Sequence, residues 1–202
     1  MIILDHEQGT KAWLNARLGR PSASQFHKLI KSNGKPSASA SDYINTMVVE
    51  RISGMSTPVF VTDWMTRGNE LEPDARNLYS LITDNEVEEV GFILDDSGEF
   101  GCSPDGLVSE NGKPVGGLEI KCPAPGNHKT WSKKKVCPTK HYAQVQGCMW
   151  ICQRDWWDFM SYHPDMDAFI VRVERNQEFI DKLAEEVDKA VTEIISETRN
   201  LL

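Results

Sequence analysis

Two acidic residues and a lysine lie close together in the stretch CSPDGLVSENGKPVGGLEIKC, residues 102–122. Asp105 occupies a Pro-Asp-Gly corner, and Glu119 and Lys121 follow with one apolar residue between them. Alternate residues of a β-strand share a face, so Glu119 and Lys121 should lie on the same side, with Cα atoms ~6.6 Å apart. We predict that Asp105, at the start of one strand, and Glu119, on the next, converge at one end of a hairpin.

Converging carboxylates suit a hard divalent cation, with a main-chain carbonyl as a further oxygen ligand. A neighbouring lysine can position or deprotonate an attacking water, and a metal lowers the pKa of that water and stabilises charge on phosphorus. Taken alone, either half of the pattern is more simply explained by a turn carrying an acid or an edge strand carrying an ion pair. Their combination predicts phosphodiester hydrolysis.

The bulk composition is that of a globular domain, and we expect one nuclease domain over residues 1–202. The chain is 40% hydrophobic and 26% charged, and it has no apolar run of the ~20 residues that cross a bilayer. The N-terminal stretch MIILDHEQGTKAW does not resemble a signal peptide. With five cysteines and no export signal, a reduced, cytoplasmic protein without membrane contact is expected.

Positive charge is concentrated in two segments of a chain whose net charge is −8. Residues 8–41 and 121–140 contain lysines and arginines but no acidic residue. Local fields matter more than net charge for docking a phosphate backbone. The two segments are therefore either ordinary solvated surfaces or parts of a nucleic-acid interface.

Hydrophobic periodicity predicts helices first, then a sheet, and then a helix, a hairpin and a closing amphipathic helix, which is typical of an α/β or α+β domain. We predict helices over residues 22–30, 42–53, 64–82, 141–152 and 178–195. Strands are predicted over residues 87–95, 100–103, 106–109, 116–122, 156–162 and 167–174. Pro73 either kinks the third helix or moves its regular part to begin near Glu72.

Four motifs, in order along the chain, carry a family resemblance. SPDG followed by LEIK resembles the P-D…(D/E)-x-K signature of the restriction-endonuclease-like nucleases. WLNARLGRPSAS (13–24), RGNELEPDAR (67–76) and HYAQVQGCMW (141–150) resemble motifs of the phage recombination exonucleases, which are lambda-exonuclease-like or YqaJ-type viral recombinases. The resemblance implies a restriction-endonuclease-like core, with a central mixed sheet flanked by helices.

The resemblance also implies a set of metal ligands and a catalytic lysine. Asp105, Glu119 and the main-chain carbonyl of Ile120 match the metal ligands. Glu72 matches a helix glutamate that completes the site, directly or through water. Lys121 matches the catalytic lysine.

Further residues match positions around the site and along the DNA. Gln144 matches a glutamine that orients the lysine or the water. Arg17 and Ser24 match residues that bind phosphate near the cut or at the 5′ end. Met65 matches a wedge that splits terminal base pairs, although a core methionine on a helix is an equally good explanation. The remaining candidates for DNA contact are Lys28, Lys31, Lys35 and Gln146.

For the whole protein, the resemblance implies a phage or prophage exonuclease that uses Mg²⁺, two ions per site, with Mn²⁺ able to substitute. Such an enzyme cuts linear double-stranded DNA from 5′ to 3′, releases mononucleotides and leaves a 3′ single strand for annealing. A homotrimeric ring and a single-strand annealing partner are also implied. The alternatives are a site-specific endonuclease with the same metal core and a nonenzymatic DNA-binding subunit of a recombination complex.

Cysteines offer a competing metal site, which we reject. A zinc site could be drawn from Cys137, His141, Cys148 and Cys152, but the sequence has no C-x-x-C pair, and cysteine is often simply buried. The chain also lacks the N-terminal cysteine and tight C-terminal cluster of the iron–sulfur relatives of this superfamily.

Overall fold

The computed structural model describes residues 1–58 and 62–202. The helices are α1 (Lys11–Arg17), α2 (Ala40–Ser53), α3 (Asp63–Thr83), α4 (Pro125–Lys134), α5 (Thr139–Cys152), α6 (Gln177–Leu201) and a 3-10 helix (Ala23–Lys28). The strands are β1 (Ile2–Leu4), β2 (Glu86–Glu88), β3 (Phe92–Leu94), β4 (Gly101–Cys102), β5 (Gly106–Glu110), β6 (Lys113–Lys121), β7 (Trp156–His163) and β8 (Met166–Glu174). Within the described ranges, no helix combines the length and apolar character needed to span a bilayer.

A five-stranded mixed sheet forms the centre of the molecule, in the order β2-β5-β6-β7-β8. The β6–β7 pair is parallel, and the other pairs in this sheet are antiparallel. A smaller antiparallel sheet has the order β1-β3-β4. The expected central mixed sheet flanked by helices is therefore confirmed.

The two faces of β6 meet different helices. Leu118 and Ile120 pack with Ala75 and Tyr79 of α3 on one face. Glu119 lies on the other face, where its carboxylate meets α5. The predicted alternation along β6 is therefore correct, and it directs the acidic residue away from the α3 cluster.

The turn between β5 and β6 is a tight hairpin turn with an Asn-Gly pair at its centre. β5 ends at Glu110 and β6 begins at Lys113. The two connecting residues, Asn111 and Gly112, have φ values of +52° and +72°, as a type I′ hairpin turn requires. This tight turn, together with a register shift between Val108 and Ser109, pairs Gly106 with Leu118, so that the start of β5 lies beside the end of β6.

One predicted strand is divided in the structure, and three elements of the structure were not predicted. The single strand expected over 87–95 is two strands, β2 and β3, which belong to different sheets. The chain changes sheets near Gly91, where an added Cβ would clash with the carbonyl oxygen of His6 in the N-terminal segment. The sequence did not predict strand β1 or helices α1 and α4, because these elements are short or polar.

Helix α3 is continuous through Pro73 and begins ten residues before it, at Asp63. The alternative that its regular part starts near Glu72 is therefore wrong. Thr62 caps the helix, with its hydroxyl accepting from the Met65 N–H. Because proline lacks an N–H, the Asn69 carbonyl has no helical donor at the point where α3 approaches the site.

The C-terminal hairpin and the amphipathic helix are confirmed, and α6 extends six residues beyond the predicted end at 195. Gln146 of α5 joins these elements. Its amide donates to the Glu174 carbonyl at 2.9 Å and accepts from the Asn176 N–H at 2.9 Å. The side chain has no exposed surface, so the prediction that Gln146 contacts DNA is wrong.

We therefore expect Gln146→Ala to act on stability and not on chemistry. Two main-chain groups in part-buried hydrogen bonds would lose their partners, which should lower the free energy of unfolding by ~1–3 kcal/mol. Urea unfolding measures this change, and activity per folded molecule should stay at the wild-type value. A variant that unfolds like wild type but has lost activity would return Gln146 to the DNA interface.

Candidate active site

The corner at Asp105 is bonded to the end of β6. Its Oδ2 accepts from the main-chain N–H of Ile120 at 2.6 Å. The two elements therefore converge as the sequence predicts. The Ile120 side chain is buried in the α3 cluster, so this residue faces the site with its peptide group.

Glu119 is a fully buried carboxylate at the centre of the site. Its Oε1 accepts from the amide of Gln144 at 2.6 Å and pairs with the Lys121 ammonium. Its Oε2 is buried and has no hydrogen-bond partner among the described residues. Burial, followed by the negative charge of Asp105, raises the pKa of Glu119 to about 8.

Lys121 is held by the acidic residues around it. Burial alone would lower its pKa, but the charges of Glu119 and Asp105 outweigh burial and raise the pKa of Lys121 above its usual range. The lysine is therefore protonated, and about a third of its side chain is exposed. Because a protonated lysine cannot deprotonate a water, this arrangement favours the other predicted role, in which Lys121 positions a water or a phosphate oxygen.

Glu72 reaches the same place from α3. Burial and the charge of Asp105 raise its pKa to about 7. Its Oε1 accepts from Arg76 at 2.7 Å. Glu72 thus lies beside the carboxylates of β5 and β6, as its place in the helix motif implied.

Arg76 is a member of the site that was assigned no role from the sequence. Its Nε donates to the Asp105 carbonyl at 2.9 Å, and its other nitrogens pair with Glu72 and Glu89 at 2.7 Å each. One buried guanidinium thus ties α3 to the Asp105 corner. The signal was present, because arginine follows Glu72 by one helical turn in the motif.

The donor set suits an oxygen-binding cation. Within residues 1–58 and 62–202, no three His, Cys, Asp or Glu side chains are arranged as a complete metal site. The candidate ligands are instead the carboxylates of Asp105 and Glu119 and the carbonyl of Ile120. The unpartnered Oε2 of Glu119 is consistent with such a ligand, because a buried polar atom usually has a partner.

A cleft leads to these carboxylates from both sides of α3. One cavity of 740 Å³ lies towards the N-terminal segment and includes Trp13 and Asp105. The other, of 600 Å³, includes Lys121 and Met65. Glu72 lines both cavities, so the acidic cluster lies where they meet.

Met65 is 46% exposed at the second cavity. The alternative that it is a core methionine is therefore wrong. Trp64, its neighbour in the first turn of α3, is also exposed there. These two side chains are available to a substrate that enters the cleft.

Arg17 forms a polar cluster beside the Asp105 corner. Its guanidinium donates to the hydroxyls of Ser103 and Ser22, at 3.0 and 3.4 Å. The Ser22 hydroxyl lies 3.3 Å from that of Ser24. Arg17 also stacks on Trp13, 4.2 Å from the ring centroid. Arg17 is thus linked to Ser24 through Ser22, and the structure brings together the two residues expected to bind phosphate. Ser103, the other partner of Arg17, lies two positions before Asp105.

The other predicted DNA contacts are surface lysines. Lys31 and Lys35 are exposed in the loop before α2, and Lys28 lies 5.2 Å above the ring of Tyr43. None of the three forms a salt bridge with a residue that the structure describes. Their contact with DNA stays a prediction.

The fold and the site define a class of protein. A mixed sheet that carries Asp105 at one strand and Glu119-Ile120-Lys121 at the end of the next has the arrangement of the restriction-endonuclease-like PD-(D/E)xK nucleases. Within this class, residues 12–155 match the YqaJ-like viral recombinase domain. The chain belongs to that family.

Solved structures agree with this assignment. The alkaline exonuclease LHK-Exo from Laribacter hongkongensis is 32% identical, with a TM-score of 0.85 over 95% of this chain and 96% of that chain. The same protein in complex with dAMP matches equally well. A phage-related exonuclease from Haemophilus somnus 129PT has the same fold, with a TM-score of 0.68, 19% identity and 91% and 96% coverage. No curated protein matches the chain.

We expect Glu119→Gln to leave the protein as stable as wild type, or more stable, at alkaline pH. The folded-state pKa of Glu119 lies above its usual range, so stability is lost as the pH rises through about 8 and the buried carboxylate ionises. Glutamine can still bond Gln144 and Lys121 without that charge. Thermal unfolding in EDTA from pH 5 to 9 should show a smaller loss for the variant. A lower unfolding temperature at every pH would make Glu119 a structural ion-pair partner.

Proposed function

We propose that this protein is a Mg²⁺-dependent exonuclease that degrades one strand of linear double-stranded DNA from 5′ to 3′. It releases mononucleotides and leaves a 3′ single strand for recombination by annealing. The observation that carries the proposal is the cluster of Asp105, the buried Glu119 and Lys121 at the cleft, with one Glu119 oxygen unpartnered among the described residues. Membership of the viral recombinase family and likeness to an alkaline exonuclease support it.

Hydrolysis at this site needs a water aligned with a phosphodiester. Water attacks phosphorus, the bond from phosphorus to the 3′ oxygen breaks, and a proton passes to that leaving oxygen. A magnesium ion held by Asp105, Glu119 and the Ile120 carbonyl would supply Lewis acidity and a more acidic water. Mn²⁺ should substitute, and Glu72 would hold a second ion directly or through water.

The surrounding side chains orient the reacting groups. Lys121 holds the water or a non-bridging phosphate oxygen. Gln144 donates to Glu119 and so fixes the carboxylate against which Lys121 is set. Arg76 holds Glu72 and the Asp105 main chain in register.

The direction of cutting is assigned to the Arg17 cluster. A guanidinium fork binds two phosphate oxygens at once, and the hydroxyls of Ser22 and Ser24 add donors. A 5′-terminal phosphate held here would place the next phosphodiester at the carboxylates. That LHK-Exo forms a complex with dAMP is consistent with a mononucleotide product.

The remaining parts of the proposal concern the strand and its partners. Met65, exposed in the cleft, acts as the wedge that separates the terminal base pairs. Three copies form a ring around the DNA, and a single-strand annealing protein receives the 3′ strand. Both follow from the family resemblance.

The test uses end-labelled linear DNA and covalently closed circular DNA of the same sequence, with Mg²⁺. We expect digestion of the linear form only, with 5′ mononucleotides as product. Asp105→Asn, which can still accept from Ile120, should slow digestion at least about a hundredfold while DNA binding persists. Cutting of the circle would favour a site-specific endonuclease, and binding without cutting would favour a nonenzymatic subunit.

A second test concerns the 5′ phosphate. Wild-type protein should digest 5′-phosphorylated ends about tenfold faster than 5′-hydroxyl ends, since a charge-assisted hydrogen bond contributes ~1.5–3 kcal/mol. Arg17→Lys should remove most of that preference, because an ammonium cannot replace the fork. Arg17→Lys that still discriminates as wild type does would assign the terminal phosphate to Lys28, Lys31 or Lys35.

A further inference from the structure

The cavity of 600 Å³ on the Lys121 side of the cleft is lined by α3 on one side and by a second wall opposite it. That wall comes from the junction of α4 and α5, where Trp131, Lys140 and His141 lie. Trp64 and Met65 of α3 form the facing side. The cavity therefore combines aromatic surface with a cation, and it opens directly onto the reacting residues Lys121 and Glu72.

His141 carries a polar atom that the protein does not use. Its ring stacks on Phe159 at 5.5 Å and meets Trp131 edge to face at 5.6 Å. Its Nε2 is buried and has no hydrogen-bond partner among the described residues. Burial, followed by the charge of Lys121, lowers the pKa of His141 to about 3, so the ring is neutral. A buried polar atom left unpaired costs free energy, and a packed phenylalanine in its place would not.

Lys140 supplies a positive charge at the same cavity. Its ammonium lies 4.9 Å from the centroid of Trp131, and its side chain is exposed. It forms no salt bridge with any residue in the described ranges. A free cation beside an aromatic surface and a neutral hydrogen-bonding ring is suited to a nucleotide, which has a phosphate, a polar edge and a π-face.

We propose that this cavity binds the nucleotide on the 3′ side of the scissile phosphate, and that His141 and Lys140 position it. The proposal rests on the proposed function. The Arg17 cluster lies on the Trp13 side of Glu72, and this cavity lies on the Lys121 side. A strand whose 5′ end is at Arg17 therefore crosses the carboxylates and continues into the cavity.

The chemistry of the cut supplies a probe for this position. Breaking the bond to the 3′ oxygen leaves the phosphate on the 5′ oxygen of the downstream nucleotide. A deoxynucleoside 5′-monophosphate therefore reproduces that nucleotide, and measuring its affinity in Arg17→Lys as well separates this position from the Arg17 cluster, where the 5′ phosphate of the released product would sit. dAMP is the probe for the measurements below.

The test is His141→Phe, which keeps the ring stack with Phe159 and Trp131 but removes both nitrogens. We expect kcat/KM on 5′-phosphorylated linear duplex and the affinity for dAMP with Mg²⁺ each to fall about tenfold, the size of one hydrogen bond to a ligand. The unfolding temperature should be unchanged or higher. His141→Gln, which restores a donor and an acceptor, should recover part of the loss.

Lys140→Ala and Lys133→Ala form a matched pair from the same basic segment. Lys133 lies at a different groove, beside Met166 and Asp167. Lys140→Ala should raise KM on linear duplex DNA. It should also reduce the slope of log affinity for that DNA against log salt by about one, since one contact with a DNA phosphate is lost. Lys133→Ala should leave the affinity for dAMP at the wild-type value.

The outcomes separate this inference from the proposed function. Wild-type protein that digests linear DNA, with His141→Phe matching it in kcat/KM and dAMP affinity, would overturn the inference alone. Wild-type protein that neither cuts DNA nor binds dAMP would overturn both. Equal loss of dAMP affinity in Lys133→Ala and Lys140→Ala would also overturn it, because charge anywhere on α4 and α5 would then suffice.

Discussion

The burial of the Glu119 carboxylate is the constraint on which the rest of the site depends. A charge on a fully buried side chain is tolerated only with partners, and the partners come from separate elements: Lys121 from β6 and Gln144 from α5. Asp105 adds a second negative charge and is tied to β6 through the Ile120 N–H. Because β6 pairs with β7 as well as with β5, it is an interior strand of the sheet, and water cannot reach both faces of its end.

A buried and incompletely paired cluster of charges is typical of functional sites, where several rules of stable packing are broken together. The carboxylates of Asp105 and Glu119 lie at one end of the sheet, Glu72 faces them from α3, and one Glu119 oxygen has no partner among the described residues. Arg76 and Lys121 offset part of the repulsion. Buried oxygens usually have a hydrogen-bond partner, so the arrangement favours a site that a ligand completes.

The two sides of the cleft differ in chemistry, and the difference gives the site a direction. On one side, Asp5, Glu7 and Glu89 line the cavity, with Arg76 as the buried cation. On the other side, Lys121 and Lys140 lie among tryptophans. The lysine-lined side attracts a polyanion more strongly, so it is the better path for the extended strand, and in the proposed function only the 5′ end reaches the Arg17 cluster on the first side.

The sequence by itself determined the order of the longer helices and strands, the turn at Asn111-Gly112, the alternation along β6 and the identity of the central residues. These are local properties, set by period, turn chemistry and motif spacing over a few residues. The tertiary structure alone decided the role of Gln146, the split of residues 87–95 between two sheets, and the positions of Arg76 and His141 in the cleft. Burial and partnership depend on what other segments place nearby, and a glutamine or a histidine in a helix carries no local sign of either.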